Sequence, residues 1–139
     1  MDFPDDVEVF IGEFEHGTLP KSRWTHEAHL LVALWYLSRH DAAQALPIVK
    51  TRITAYNEAV GIVNSNTSGY HETLTRLYLH ALARHREAAD DESLRDCYAR
   101  LLASRVARRD WPLSHYSRER LFSVAARRGW IEPDLQPLA

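Results

Sequence analysis

Apolar positions recur every three or four residues along nearly the whole chain, which is the spacing of one face of an α-helix. The first such stripe comprises Phe3, Val7, Phe10, Ile11 and Phe14. No stretch alternates between apolar and polar residues in the way that a half-buried strand does. The pattern therefore predicts one all-α domain, a helical bundle of about six helices over residues 1–139.

Cap and breaker residues divide this pattern into segments. Thr25 is expected to cap a second helix that ends near His40, and Asp41 to cap a third. Residues 30–37 are apolar on every side, which predicts that the second helix is central and buried. Pro47 either lies in the first turn of the third helix or separates a short helix from a longer one.

Three further helices and a tail are predicted in the second half of the chain. The helices run from about Tyr70 to Arg86, from the segment 89–93 to about Arg109, and from Ser117 to Arg128. The tail after Gly129 contains two prolines and is expected to be extended, packing Trp130 and Leu135 back onto the bundle.

Composition narrows the function classes. Hydrophobic residues make up 45% and charged residues 26% of the chain, with a net charge of −2. These values indicate a folded domain and provide no electrostatic footprint for nucleic acid. The single cysteine, Cys97, cannot form an internal disulfide, which suits a reducing compartment. With no signal peptide and no apolar run long enough for a membrane span, we expect a cytoplasmic protein.

Two His-Glu segments stand out as candidate chemistry. In "WTHEAHLL", residues 24–31, His26 and His29 are three residues apart and share a helix face, whereas the zinc-protease motif H-E-x-x-H needs four. Such a pair can still donate two nitrogens to one metal ion. The alternative is that each imidazole hydrogen-bonds a backbone carbonyl or a carboxylate and orders the core.

The second segment is "GYHETLT", residues 69–75. With Ser68 or Gly69 as the expected N-cap, His71 and Glu72 fall in the first helical turn, about 100° apart around the axis. One can therefore ligate a metal while the other hydrogen-bonds or acts as a base. Alternatively, Glu72 caps the helix and His71 packs.

Together the two segments predict a shared site. Both begin helices, where the positive end of the dipole favours neutral imidazole, the form needed for ligation and for general-base chemistry. Three histidine ligands plus water would describe a catalytic site for a divalent metal such as Zn or Fe. We therefore predict His26, His29 and His71 as metal ligands, with His71 and Glu72 as catalytic groups. A metal-free polar pocket made of the same side chains, and no site at all, are the alternatives.

Four other residues are predicted to contact a ligand. Tyr70 and Thr75 flank the second His-Glu pair, and Asn57 either faces a ligand or fills a packing defect. Arg118 begins another predicted helix, where it either clamps a carboxylate or phosphate or forms an internal ion pair.

The segments "WTHEAHL", "YNEAVG", "GYHETLT", "YSRERLFS" and "PDLQPL" together resemble an uncharacterised bacterial family of small helical domains. In that family a T-H-x-x-H-L motif precedes a Y-H-E-T-x-T motif. The resemblance implies that one site includes the residues of these motifs, which are His26, His29, Tyr70, His71, Glu72, Thr75, Ser117 and Arg118. It implies no reaction, because the family has no assigned activity.

Three functions follow as hypotheses. The first is an enzyme that uses metal-activated water, or proton transfer by His and Glu, on a small polar metabolite. The second is a metal-free domain that binds or senses an anionic small molecule. The third is an interaction module, for example a homodimer formed through an exposed apolar helix face. The first two require the second and fourth helices to meet at their starts.

Overall fold

The computed structural model describes residues 1–139, which form seven α-helices and no strand. This confirms the all-α prediction. The helices are α1 (Val7–Glu15), α2 (His26–Leu37), α3 (Ala42–Ala59), α4 (Glu72–Glu87), α5 (Leu94–Leu102), α6 (Arg118–Leu121) and α7 (Val124–Arg128). Short 3₁₀ helices occupy Lys21–Arg23, Arg105–Ala107 and Trp111–Ser114.

The predicted caps of α2 and α3 are confirmed. The Thr25 hydroxyl oxygen accepts a hydrogen bond from the Ala28 N–H over 3.2 Å. Asp41 and Gln44 form a reciprocal capping box, in which each side chain accepts from the other residue's N–H. Each cap satisfies N–H groups that have no partner within the helix, and so sets where the helix begins.

Helix α2 lies at the centre of the molecule, as its uniformly apolar middle predicts. Eight of its twelve residues are buried, and it packs against α3, α4 and α5. Its side chains contribute to a core cluster of 20 buried residues. No helix combines the length and the apolar character that a membrane crossing would need.

Several boundaries differ from the prediction. Pro47 lies inside an uninterrupted α3 rather than in its first turn or between two helices. Helix α5 stops at Leu102, and the Ser104 hydroxyl donates to the Leu101 carbonyl just beyond it. The helix predicted for residues 117–128 is divided, because Ser123 caps a new helix by accepting from the Ala126 N–H.

The C-terminal tail packs onto the bundle through Trp130. This residue joins a second apolar cluster around Leu77, Tyr116 and Leu121. The Tyr116 hydroxyl donates to the Ile131 carbonyl over 2.6 Å, which anchors the tail. The expected contribution of Leu135 is wrong, because that side chain is 60% exposed.

Candidate functional site

A cavity of about 560 Å³ lies where the starts of α2 and α4 meet the middle of α3 and the C-terminal segment 109–122. Thirteen of its 21 lining residues are hydrophobic, which is typical of a small-molecule site. The structure thus brings both His-Glu segments to one space. The predicted site residues that line this cavity are His26, His29, Asn57, Tyr70, His71 and Thr75.

His71 is the N-cap of α4, a role that the sequence analysis wrongly assigned to Ser68 or Gly69. Its Nδ1 accepts a hydrogen bond from the Leu74 N–H over 3.1 Å. Its Nε2–H donates to the Leu121 carbonyl over 2.8 Å. Burial lowers the pKa of His71, although the bond to Leu121 opposes this shift. Both ring nitrogens are therefore engaged within the protein, and the imidazole is held neutral.

His29 projects into the cavity from the first turns of α2. Its Nδ1 lies 2.7 Å from the Thr25 carbonyl oxygen, and its ring stacks on Trp24 with 3.8 Å between centroids. The residue remains exposed to solvent and lines the cavity, while Trp24 and the Thr25 carbonyl pack against its ring. Desolvation of the ring lowers the pKa of His29 to about 4. His29 is therefore neutral at physiological pH.

His26 is the first residue of α2 and connects it to the segment that follows α5. Its Nε2 lies 2.9 Å from the Ala107 carbonyl oxygen. Because a carbonyl oxygen only accepts, Nε2 must carry the hydrogen. Nδ1 has no hydrogen-bond partner in the protein. His26 is half-buried. Its Nε2 is bonded to the Ala107 carbonyl, and its Nδ1 is available to a ligand in the cavity.

The three histidines do not form the predicted metal-ligand set. No group of three or more His, Cys, Asp or Glu side chains is arranged so that it could hold a metal ion. The physical reason is clearest at His71. Nδ1 would have to give up the helix cap, or Nε2 its bond to Leu121, before it could ligate a metal ion. Only His26 and His29 retain a nitrogen without a protein partner.

Glu72, which was predicted as a catalytic group, is not among the residues that line the cavity. Its carboxylate accepts a hydrogen bond from the Tyr70 hydroxyl over 2.9 Å and lies 3.7 Å from the Lys50 ammonium. Burial and the nearby Glu72 carboxylate raise the pKa of Tyr70, whose phenol stays protonated. Glu72 therefore orients Tyr70, which lines the cavity.

Arg118 is also absent from the cavity wall. Its side chain is exposed and forms no ion pair, so the internal ion pair that was the alternative prediction is not formed. The cationic side chain at the cavity is instead Arg109, which the sequence analysis treated only as a helix end. Arg109 makes no ion pair within 4 Å. A backbone hydrogen bond is the main cause of the lowered pKa of Glu27, and the positive charge of Arg109 adds to that shift.

Tyr78 is a second lining residue that the sequence analysis missed. Its hydroxyl makes no hydrogen bond within the protein, and burial raises its pKa. Its ring meets His26 edge-on, with 6.1 Å between centroids. Helical periodicity could have predicted Tyr78 as a site residue, because positions 71, 74 or 75, and 78 lie on one face of a helix. No local signal marks Arg109, which reaches the cavity only through the packing of Ala107 against His26.

The loop between α3 and α4 closes one side of the cavity. Asn57 donates to the Asn64 side-chain oxygen over 2.9 Å, and the same oxygen accepts from the Tyr70 N–H over 3.0 Å. Gly69 takes a left-handed backbone conformation, with φ of 77°, so that the chain can pass Asn64. Asn57 is thus a lining residue whose amide donates within the protein.

No family model, curated protein or solved structure matches this chain. The resemblance to the bacterial family therefore stays a prediction.

Proposed function

We propose that this chain is a metal-free domain that binds a small molecule with an apolar body and one anionic group. The observation that carries the proposal is the central cavity itself, a largely apolar space onto which the starts of two helices converge. Ligand sites commonly combine such a space with a few polar groups that fix orientation. The volume of about 560 Å³ falls within the range of cavities that hold drug-sized ligands.

The available polar groups favour an anion at one end. Arg109 supplies a guanidinium that no carboxylate pairs with, and Tyr78 supplies a hydroxyl donor without a protein partner. The Tyr78 ring contacts the His26 ring, and Arg109 follows two positions after the Ala107 carbonyl that accepts from His26. A guanidinium binds a carboxylate through two parallel hydrogen bonds, which makes it more selective than a point charge. A carboxylate seated at this end would leave the rest of the ligand among apolar side chains.

A thermal-shift and NMR screen of aryl- and alkyl-carboxylates, each paired with its primary amide, tests this proposal. A ligand at 100 times its Kd stabilises a protein by about 2.7 kcal/mol, and we expect carboxylates to raise the Tm by several degrees. We expect Arg109→Gln to weaken carboxylates about tenfold and to leave the amides unchanged. Arg108→Gln, at the exposed neighbouring position, is the matched control.

Filling the cavity provides the decisive variant. Ala33 lines the cavity and is 8% exposed, so Ala33→Phe should occupy the space and abolish binding. Ala43→Phe makes the same change at an exposed position of α3 and should leave binding intact. The proposal fails if no compound binds the wild-type protein, or if binding persists unchanged in the folded Ala33→Phe variant.

A further inference from the structure

The orientation of His29 determines which of its nitrogens faces a ligand. Nδ1 lies 2.7 Å from the Thr25 carbonyl oxygen, and a carbonyl oxygen accepts hydrogen bonds but never donates them. Nδ1 must therefore carry the hydrogen. In the neutral ring, Nε2 is then an unprotonated acceptor, and it lies on the side of the ring away from Thr25. Nε2 has no donor within the protein.

Packing holds this ring in place. His29 stacks on Trp24, and Trp24 in turn stacks on Phe14 with 4.8 Å between ring centroids. Trp24 also contacts Tyr56, whose hydroxyl donates to the buried Leu19 carbonyl. An aromatic column anchored in the core thus fixes the ring plane from one side, while the Thr25 carbonyl fixes its rotation. The acceptor is preorganised, which lowers the entropic cost of engaging it.

The charged and titratable surroundings keep this acceptor neutral. Desolvation is the main cause of the low pKa of His29, and the neighbouring His26 adds to it. Arg109 is the residue with a permanent charge among those that line the cavity, and no lining carboxylate is present to stabilise an imidazolium. The hydroxyls of Tyr70 and Tyr78, which also line the cavity, have raised pKa values and stay protonated.

We propose that Nε2 of His29 accepts a hydrogen bond from the bound molecule, so that the cavity selects ligands carrying a hydroxyl or N–H donor near the anionic group. This inference rests on the proposed function. His29 lies one helical turn from His26, and residues three apart on a helix are about 5–6 Å apart. Arg109, two positions after the Ala107 carbonyl that His26 contacts, lines the same cavity. A hydroxyl on the carbon next to a carboxylate places a donor beside the anionic group, so a 2-hydroxycarboxylate with an apolar substituent is the compound class that we infer. A ligand without the donor displaces water from Nε2 without replacing its hydrogen bond, and loses affinity for that reason.

The tautomer provides a test that needs no ligand. Long-range ¹H–¹⁵N correlation spectra of the histidine-labelled protein at pH 7 should show His29 as the neutral Nδ1–H tautomer. His29→Phe, which lacks both nitrogens, assigns the signal. Finding an Nε2–H tautomer or an imidazolium at position 29 would overturn the inference, because neither has a free acceptor that faces the cavity.

A pair of probes tests the selectivity. 2-Hydroxy-3-phenylpropanoate and 3-phenylpropanoate share the carboxylate and the apolar body and differ in one hydroxyl. We expect the hydroxylated compound to bind the wild-type protein about tenfold more tightly, and to shift the ¹⁵N signal of His29 Nε2. His29→Phe keeps an aromatic ring for Trp24 to stack on but removes the acceptor, and should bind both compounds equally.

The outcomes separate this inference from the proposed function. Equal binding of the two probes to the wild-type protein, with both lost in Ala33→Phe, overturns the role of His29 and leaves the cavity as a ligand site. If the His29→Phe variant still prefers the hydroxylated probe, the role of His29 is likewise overturned and the cavity remains a ligand site. If neither probe binds while other carboxylates do, the inferred compound class is wrong. If no carboxylate or amide of the screen binds, the proposed function fails and the inference with it.

Discussion

The Nε2–H group of His71 donates a hydrogen bond to the carbonyl oxygen of Leu121 over 2.8 Å, across 50 positions of the chain. The other nitrogen of the same ring caps α4. One buried imidazole thus sets where a helix begins and attaches the C-terminal segment to it. Because Leu121 also lines the cavity, this single side chain holds together two parts of the wall.

Substitutions at His71 should separate these two contributions. Asn is a good N-cap residue, so His71→Asn retains the cap and loses the bond to Leu121, whereas His71→Ala loses both. We expect free energies of unfolding lower by about 1–2 kcal/mol for Asn and by about 3 kcal/mol for Ala, measured by urea denaturation. Equal stability of the two variants would contradict the capping role.

Stability should fall as the pH falls from about 6.5 to about 4. The pKa of His29 is lowered from 6.5 to about 4, and that of His71 is lowered as well. Within this window the unfolded chain binds protons at these positions that the folded chain does not, so acidification favours unfolding. From about pH 7.5 upward both states carry neutral rings and this contribution is constant.

Urea denaturation of the wild-type protein and His29→Gln between pH 8 and pH 4 checks this expectation. Glutamine does not titrate, so the variant should lose less stability than the wild-type protein across the window. The difference in stability between the two proteins at pH 8 is the reference value, because His29 is neutral in both the folded and the unfolded state at that pH. Parallel pH profiles for the two proteins would show that His29 is protonated equally well in the folded state.

Gly69→Ala should destabilise the loop that closes the cavity. The backbone of Gly69 has φ of 77°, and a Cβ atom there would lie 2.4 Å from Asn64 Oδ1 and 2.6 Å from the Val63 carbonyl oxygen. We expect a loss of about 2 kcal/mol in the free energy of unfolding, from the strained backbone and the displaced Asn64. Ligand affinity should fall as well.

Gly12→Ala is the matched control for this change. Gly12 lies within α1, and nothing lies within 4 Å of a Cβ atom built there. Alanine should therefore stabilise the protein by about 0.5–1 kcal/mol in thermal or urea unfolding. A Gly69→Ala variant as stable as Gly12→Ala would contradict the described loop conformation.

Two Tyr→Phe substitutions should differ in their effects: Tyr56→Phe should lower stability, and Tyr78→Phe should weaken ligand binding. Tyr56 donates its hydroxyl to the Leu19 carbonyl over 2.7 Å in the core, so Tyr56→Phe leaves a buried acceptor unpaired and should cost about 1–2 kcal/mol. The Tyr78 hydroxyl has no protein partner, so Tyr78→Phe should leave stability within about 0.5 kcal/mol and weaken carboxylate binding. Urea unfolding and titration with 3-phenylpropanoate measure the two effects. A stability loss at position 78 as large as that at position 56 would show that its hydroxyl is bonded within the fold.

Much of the architecture followed from local patterns. The buried α2 was predictable because an apolar surface on every side of a helix can be satisfied only at the centre of a bundle. Thr25 and Asp41 were predictable as caps because their side chains satisfy N–H groups two or three residues away, which is a local interaction. Pro47 was harder, because packing of α3 outweighs the loss of one hydrogen bond.

By itself, the sequence determined that the chain is helical, where α2 and α3 begin, and which side chains were candidates for a site. Only the tertiary structure decided what those side chains do. His71 pairs with Leu121, and Arg109 rather than Arg118 reaches the cavity, because both outcomes depend on contacts between distant segments. The tautomer of His29 illustrates the same division. Its partner, Thr25, is local, but the desolvation of its ring and its access to the cavity arise only when α3, α4 and the C-terminal segment pack around it.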